Sequence, residues 1–150
     1  HVTGVQTCAL PIYRHANSLL DAQMSAPVST ALAMVYGAVT VNTYDPAKIN
    51  DPEVQRILAV TSAGVDAECE RVYPKRRSGV ARVTLLNGQS FELRVLDPKG
   101  EAENPMTDED LTHKFQSNCE AILGKAKCDR MLALVWSIEK AASLAELYSA

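Results

Sequence analysis

The sequence has no apolar stretch long enough to cross a bilayer as a helix, so a membrane-spanning role is not expected of it. It has no Gly-rich phosphate loop, no HExxH and no GxSxG. The commonest marks of nucleotide binding, zinc peptidase chemistry and serine hydrolysis are therefore missing. Excess positive charge is missing too. Lys and Arg total 15 against 18 Asp and Glu, a net charge of −3. Nucleic-acid binders carry clustered positive charge, so no nucleic-acid partner is expected. The one basic run is Lys75-Arg76-Arg77, between Pro74 and Gly79. It reads as a solvated loop, with an anion contact as the alternative, because the guanidinium fork suits carboxylates. A chain of 150 residues, 47% hydrophobic, has room for one domain or two small pieces of a larger one.

Residues 2–12, VTGVQTCALPI, are identical to the translation of a common sequencing adapter, and Tyr13 has codons that begin with the adapter's last base. On that reading residues 1–12 are an unstructured artefact to be set aside from fold reasoning. The apolar patch at residues 9–12 then says nothing about export. The native reading starts near Tyr13, and the chain from there on is expected to be the downstream part of a longer protein. With Cys8 set aside, Cys69, Cys119 and Cys128 remain. An odd, widely spaced set suggests neither a disulfide framework nor a zinc site. Buried free thiols in a reducing cytoplasm are the simplest account, and a cytoplasmic location is expected.

Local patterns predict an α+β chain. The first strong element follows Ser25, with Pro27 in the first helical turn, a small apolar run over 28–36, and Gly37 as the C-terminal cap. An apolar pattern on most sides predicts a buried helix. Asp45-Pro46 and Asp51-Pro52 each read as an N-cap followed by a first-turn proline. The second opens a helix over 53–59 with Val54, Ile57 and Leu58 on one face. Residues 60–73 give only a weak strand signal at Val60 and Val65.

Residues 79–96 predict a hairpin. Ala81, Val83 and Leu85 alternate with polar residues, as do Phe91, Leu93 and Val95. A two-residue Asn87-Gly88 loop would oppose Val83 to Glu92. A three-residue loop, Leu86-Asn87-Gly88 with Gly88 left-handed, opposes Val83 to Phe91 and Ala81 to Leu93. Matched faces select the longer loop and predict a sheet with one buried and one polar face. A polar connector, 97–106, precedes a change of period from two to 3.6. Thr107 caps a helix, with Asp110 placed for a capping box, and Leu111, Phe115, Cys119 and Ile122 form its apolar stripe up to Gly124. The last helix turns Cys128, Met131, Leu132, Val135, Ile138 and Ala142 inward.

No catalytic constellation emerges from the residues themselves, and no metal set. His113 reads as a solvent-facing side chain. His15 lies too close to the break to interpret. Asp108, Glu109 and Asp110 are explained by helix dipole and capping.

Four stretches, in order, carry a resemblance. They are Ala22-Gln23-Met24-Ser25-Ala26-Pro27-Val28, Ile49-Asn50-Asp51-Pro52-Glu53-Val54, the Asn87-Gly88 hairpin, and the run from Pro98 through Lys99-Gly100-Glu101-Ala102-Glu103-Asn104-Pro105-Met106-Thr107-Asp108-Glu109-Asp110 to Leu111, then Lys114-Phe115. Over nearly all of 15–150 this resembles the C-terminal part of the MmgE/PrpD family, which includes 2-methylcitrate dehydratase, cis-aconitate decarboxylase and iminodisuccinate epimerase. Family members usually carry Phe where this chain has Met24 and Tyr where it has Val28. Both changes keep an apolar side chain, but the second removes a phenol and could alter substrate choice.

The resemblance implies a helical domain interrupted by a smaller α/β lid. Residues 13–96 would be a partial lid domain, 97–106 a connector, and 107–150 two C-terminal helices that return to an all-helical domain absent from this chain. It implies a cytoplasmic, homodimeric lyase acting on a small di- or tricarboxylate without a cofactor or metal. It places the catalytic residues upstream of Tyr13, so none is carried onto this chain, which is expected to be inactive alone. Gln23 and Ser25 are the substrate-binding candidates, because they precede a helix N-terminus, which favours anions. The plainer role for Ser25 is an N-cap. The alternatives are a non-catalytic binding or assembly module, and an epimerase or isomerase of the same family.

Overall fold

The structure, a computed structural model, describes residues 2–3, 16, 18–141 and 143–145. His15, Ala142 and most of 1–12 lie outside the described residues. The fold is α+β, as expected, and the chain divides into two compact units, the second beginning at Pro105.

In the first unit, α1 (Leu19–Gln23) leads through Met24 and Ser25 into α2 (Ala26–Tyr36). Pro27 sits in the first turn of α2, and Gly37 ends it at φ 78°, a left-handed conformation open to glycine at no steric cost. Two short helices follow, α3 (Pro46–Ile49) and α4 (Pro52–Ala59). Each starts as its Asp-Pro pair predicts. Asp45 accepts from the Ala47 N–H at 2.8 Å and Asp51 from the Glu53 N–H at 2.8 Å. Proline has no N–H to lose in the first turn, so the pair costs no hydrogen bond.

These helices enclose one core of Ala22, Val28, Ala31, Leu32, Ile49, Val54 and Leu58. Small residues let α2 and α4 approach closely. In α2 the buried residues are Ala26, Pro27, Val28, Ala31 and Leu32, while Met34 and Tyr36 are exposed. At the core margin the Tyr44 hydroxyl and Ser29 Oγ share a hydrogen bond of 2.7 Å.

The sheet has strands β1 (Val2–Thr3), β2 (Thr61–Ser62), β3 (Gly79–Thr84) and β4 (Ser90–Val95), in the order β2-β1-β3-β4. It departs from an all-antiparallel sheet, because β1 runs parallel to β2 and antiparallel to β3 and β4 is antiparallel to β3. An unstructured 1–12 was expected, yet Val2 and Thr3 pair on both sides. The physical reason is that β3 offers a row of backbone donors and acceptors on the side away from β4. The weak strand signal in 60–73 resolves into β2 and a helix the pattern did not predict, α5 (Ala67–Val72). Val60 instead ends α4, and Val65 is exposed loop.

The hairpin register is as expected: Val83 faces Phe91 and Ala81 faces Leu93. The Leu85 N–H donates to the Gln89 carbonyl at 2.8 Å, which leaves Leu86, Asn87 and Gly88 as the loop, with Gly88 at φ 87°. The burial of its faces is a correction. Phe91, Leu93 and Val95 are 53%, 67% and 41% exposed. The opposite face carries buried Val80, and its Arg82 and Arg94 reach the start of α5. Period-two alternation separates two faces but does not say which is covered. Arginine stems can lie along a packed surface while the guanidinium finds a carboxylate.

The second unit holds α6 (Asp108–Leu123) and α7 (Lys125–Trp136), then a 3-10 turn at Ile138–Lys140. Thr107 and Asp110 form the predicted capping box. Thr107 Oγ1 accepts from the Asp110 N–H at 3.1 Å, and the Asp110 carboxylate accepts from the Thr107 N–H at 2.8 Å. Cys128 is buried, while Leu111, Ile122, Val135 and Ile138 are exposed apolar surface. Leu111 and Ile122 thus depart from the covered stripe assigned to α6, and Val135 and Ile138 from the inner side assigned to the last helix. Trp136 Nε1 donates to Thr112 Oγ1 at 3.3 Å, tying α7 to α6.

Candidate functional site

Among the described residues the most densely partnered carboxylate is Asp66, and sequence reading did not find it. It is the N-cap of α5, accepting from the Glu68 N–H at 3.1 Å and the Cys69 N–H at 3.2 Å. The same carboxylate takes Arg94 in a two-toothed contact, 2.9 Å from Nη1 and 3.4 Å from Nη2, and Arg82 Nη2 at 3.0 Å. Arg82 Nε also donates to Glu92 at 2.6 Å, so the network continues along the hairpin. Hydrogen bonds from Arg94, then from Arg82, hold the Asp66 carboxyl well below the usual carboxylate range. A group so held stays ionised at neutral pH and has no proton to give. Chemically the cluster is a clasp between α5 and the hairpin, not an acid or a base.

Beside it lies a cleft of about 530 Å³ lined by Glu68, Arg71, Val72, Tyr73, Lys75, Arg76 and Leu96. Three cations and one carboxylate face it. Arg71 is paired with Glu68, and their hydrogen bond lowers the Glu68 carboxyl and raises the Arg71 guanidinium. Arg76 Nη1 lies 3.4 Å from Asp97, and Arg77 Nη1 lies 3.8 Å from Glu101. The basic run is therefore a loop whose arginines are largely answered by nearby carboxylates. Its lining offers charge for holding a small anion and apolar wall from Val72 and Leu96.

The two nominated residues fall apart in character. Gln23 ends α1 and is exposed. Ser25 is 1% exposed, and its Oγ accepts from the Val28 N–H at 3.3 Å as the N-cap of α2. The structure thus gives Ser25 its plainer role and leaves Gln23 free to meet solvent. His113 is exposed on α6, as expected. Asp110 is used in capping. Cys69 and Cys128 are buried free thiols, and burial pushes the Cys128 thiol up. Among the described residues no group of three or more His, Cys, Asp or Glu is placed to hold a metal ion. No helix among them is long and apolar enough to cross a membrane.

A sequence signal for Asp66 did exist. Asp is a favoured N-cap, and Glu68 and Glu70 follow it in a first turn, where negative charge suits the helix dipole. What no single sequence shows is that Arg94, 28 residues on, returns to it.

The family model for the MmgE/PrpD C-terminal domain matches residues 2–140. A cis-aconitate decarboxylase-like protein, oryM, from Aspergillus oryzae is 26% identical over 126 residues, covering 83% of this chain and 26% of that protein. The chain thus spans about a quarter of the length of the curated relative it matches.

Proposed function

Since the chain belongs to the MmgE/PrpD family, we propose that it is the C-terminal part of a cofactor-independent lyase acting on a small di- or tricarboxylate such as 2-methylcitrate or cis-aconitate. The match of the family's C-terminal domain over residues 2–140 carries this reading, and the decarboxylase-like relative supports it. The reaction begins with removal of a proton from carbon beside a carboxylate. Loss of water completes a dehydration, loss of CO2 a decarboxylation, and return of the proton an epimerisation. Each branch needs a base tuned near neutral pH and cations for the developing charge.

On this reading the acid–base residues lie upstream of Tyr13, and the chain alone is inactive. Gln23 and Ser25 stand beside the substrate in the whole protein, in different ways. Gln23 contacts it through its amide. Ser25 acts through α2, fixing the start of that helix by accepting from the Val28 N–H. The whole protein is a cytoplasmic homodimer.

The test is to recover the whole reading frame and assay it beside the 150-residue chain. Water loss from 2-methylcitrate or CO2 release from cis-aconitate by the whole protein, with neither from the chain, supports the proposal. Turnover by the chain itself would overturn the placement of the chemistry. A second reading, a non-catalytic assembly module, draws on Asp66, the best-connected carboxylate, which serves as a clasp. A whole protein that turns over neither acid and still dimerises would favour it.

A further inference from the structure

We propose that the cleft between the end of α5 and Leu96 binds a phosphate monoester carried on a small apolar body. Gln23 and Ser25 are not among the residues that line it. The ligand is bound there and not converted, so the site does not depend on the lyase reading.

The chain builds this cleft locally. Arg71 and Val72 end α5. The Arg76 N–H then donates to the Val72 carbonyl at 2.9 Å, which folds Lys75 and Arg76 back beside the helix end. Arg76 Nη1, 3.4 Å from Asp97, draws in the residues that follow β4. Leu96 thereby forms a wall with Val72 and Tyr73. The helix end does not account for the cations. Its Glu70 and Val72 carbonyls already accept from the Tyr73 and Arg76 N–H groups.

The lining offers donors without free acceptors. Arg71 gives Nε and Nη2 to Glu68, which leaves its Nη1. Arg76 meets Asp97 through Nη1, which leaves its Nε and Nη2. Lys75 is exposed and has no ion pair or hydrogen bond with any described residue. Glu68, the carboxylate of the lining, is held by Arg71.

Such a lining selects an anion rich in acceptors. A phosphate monoester has three acceptor oxygens and a charge of about −1.5 to −2 at neutral pH. A carboxylate has two oxygens and a single charge. Guanidinium forks and a lysine point charge both suit phosphate. The wall asks for more than an inorganic ion. Tyr73 and Leu96 remain 47% and 42% exposed, and an apolar body covers that surface. A cleft of about 530 Å³ has room for both parts.

The test is calorimetric titration of the chain with phenyl phosphate, inorganic phosphate and succinate. Phenyl phosphate should bind one to one, severalfold tighter than inorganic phosphate and tighter than succinate. Lys75→Glu should weaken it at least about tenfold, with the melting temperature unchanged, because the side chain is exposed and unpaired. Lys114→Glu makes the same charge change on α6, outside the lining, and should shift the affinity by less than about twofold. Leu96→Ser should cancel the advantage of phenyl phosphate over inorganic phosphate. Equal losses in Lys75→Glu and Lys114→Glu would mean attraction by net charge and would overturn the site. Succinate binding as tightly as phenyl phosphate would overturn the phosphate assignment. No binding by the unsubstituted chain would overturn the proposal outright.

Discussion

Asp66 and Arg94 meet through two hydrogen bonds, 2.9 Å and 3.4 Å, that tie the first turn of α5 to the last strand of the hairpin. The pair gives the first unit a pH-dependent fastening. The folded Asp66 carboxyl lies below its unfolded range, first through Arg94 and then through Arg82. A lowered carboxyl contributes stability that is present above the unfolded value of about 4 and is lost as pH falls through the folded one. Thermal melts of the chain should therefore drop steadily from about pH 5 into the acid range. Asp66→Asn should melt lower at pH 7 and show a shallower acid slope. Equal slopes for the two would remove Asp66 from the account. Arg94→Lys should behave like a partial loss, because an ammonium cannot make the two-toothed contact.

How much of this was legible beforehand differs by element. Both Asp-Pro helix starts, the Thr107 capping box and the three-residue hairpin loop were readable, because each is set by residues within a few positions of one another. The hairpin's covered face was not. It depends on Asp66 and Arg94, far apart in the chain, choosing each other. Helix α5 escaped because six residues give less than two turns of periodicity. Of the two substrate candidates, Ser25 has the cap role that was its plainer reading, while the cation-lined cleft depends on Arg71 and Leu96 coming together from separate elements.

Gly88 should tolerate substitution only at a backbone cost. Its φ is 87°, and a Cβ built there meets nothing within 4 Å. Gly88→Ala should destabilise by about 1–2 kcal/mol, the cost of a left-handed backbone for a residue with a Cβ. Gly88→Asn should cost less, since Asn enters that region more readily. Urea melts of the two variants give the comparison, and equal losses would point to some other cause.

Ser78 offers the opposite sign. It is buried, and its Oγ has no hydrogen-bond partner among the described residues. A buried hydroxyl without a partner costs about 1–3 kcal/mol. Ser78→Ala should leave the chain at least as stable, with a gain of up to about 1 kcal/mol in urea unfolding. A clear loss would mean that the hydroxyl is satisfied.

The core of the first unit gives the largest expected effect. Leu32 is fully buried among Val28, Val54 and Leu58. Leu32→Ala removes buried methyl groups and leaves a cavity, at about 2–5 kcal/mol. Leu111 on α6 is exposed, so Leu111→Ala should change stability by less than about 0.5 kcal/mol. Parallel urea melts separate the two cases, and a similar loss at both positions would contradict the placement of the core.

The two residues nominated beside the substrate should separate when tested in the whole protein. Ser25 Oγ caps α2 from a buried position, so Ser25→Ala should cost about 1 kcal/mol of stability. Measured well below its melting temperature, Ser25→Ala should keep kcat and raise KM only slightly, because the buried Ser25 hydroxyl acts on the helix and not on the substrate. Gln23 is exposed and makes no part of the core, so Gln23→Ala should leave the melting temperature unchanged. If its amide meets a substrate carboxylate, KM should rise severalfold with kcat largely kept, the pattern of an interaction shared by ground and transition states. Unchanged KM in Gln23→Ala would leave the end of α1 without a direct substrate contact.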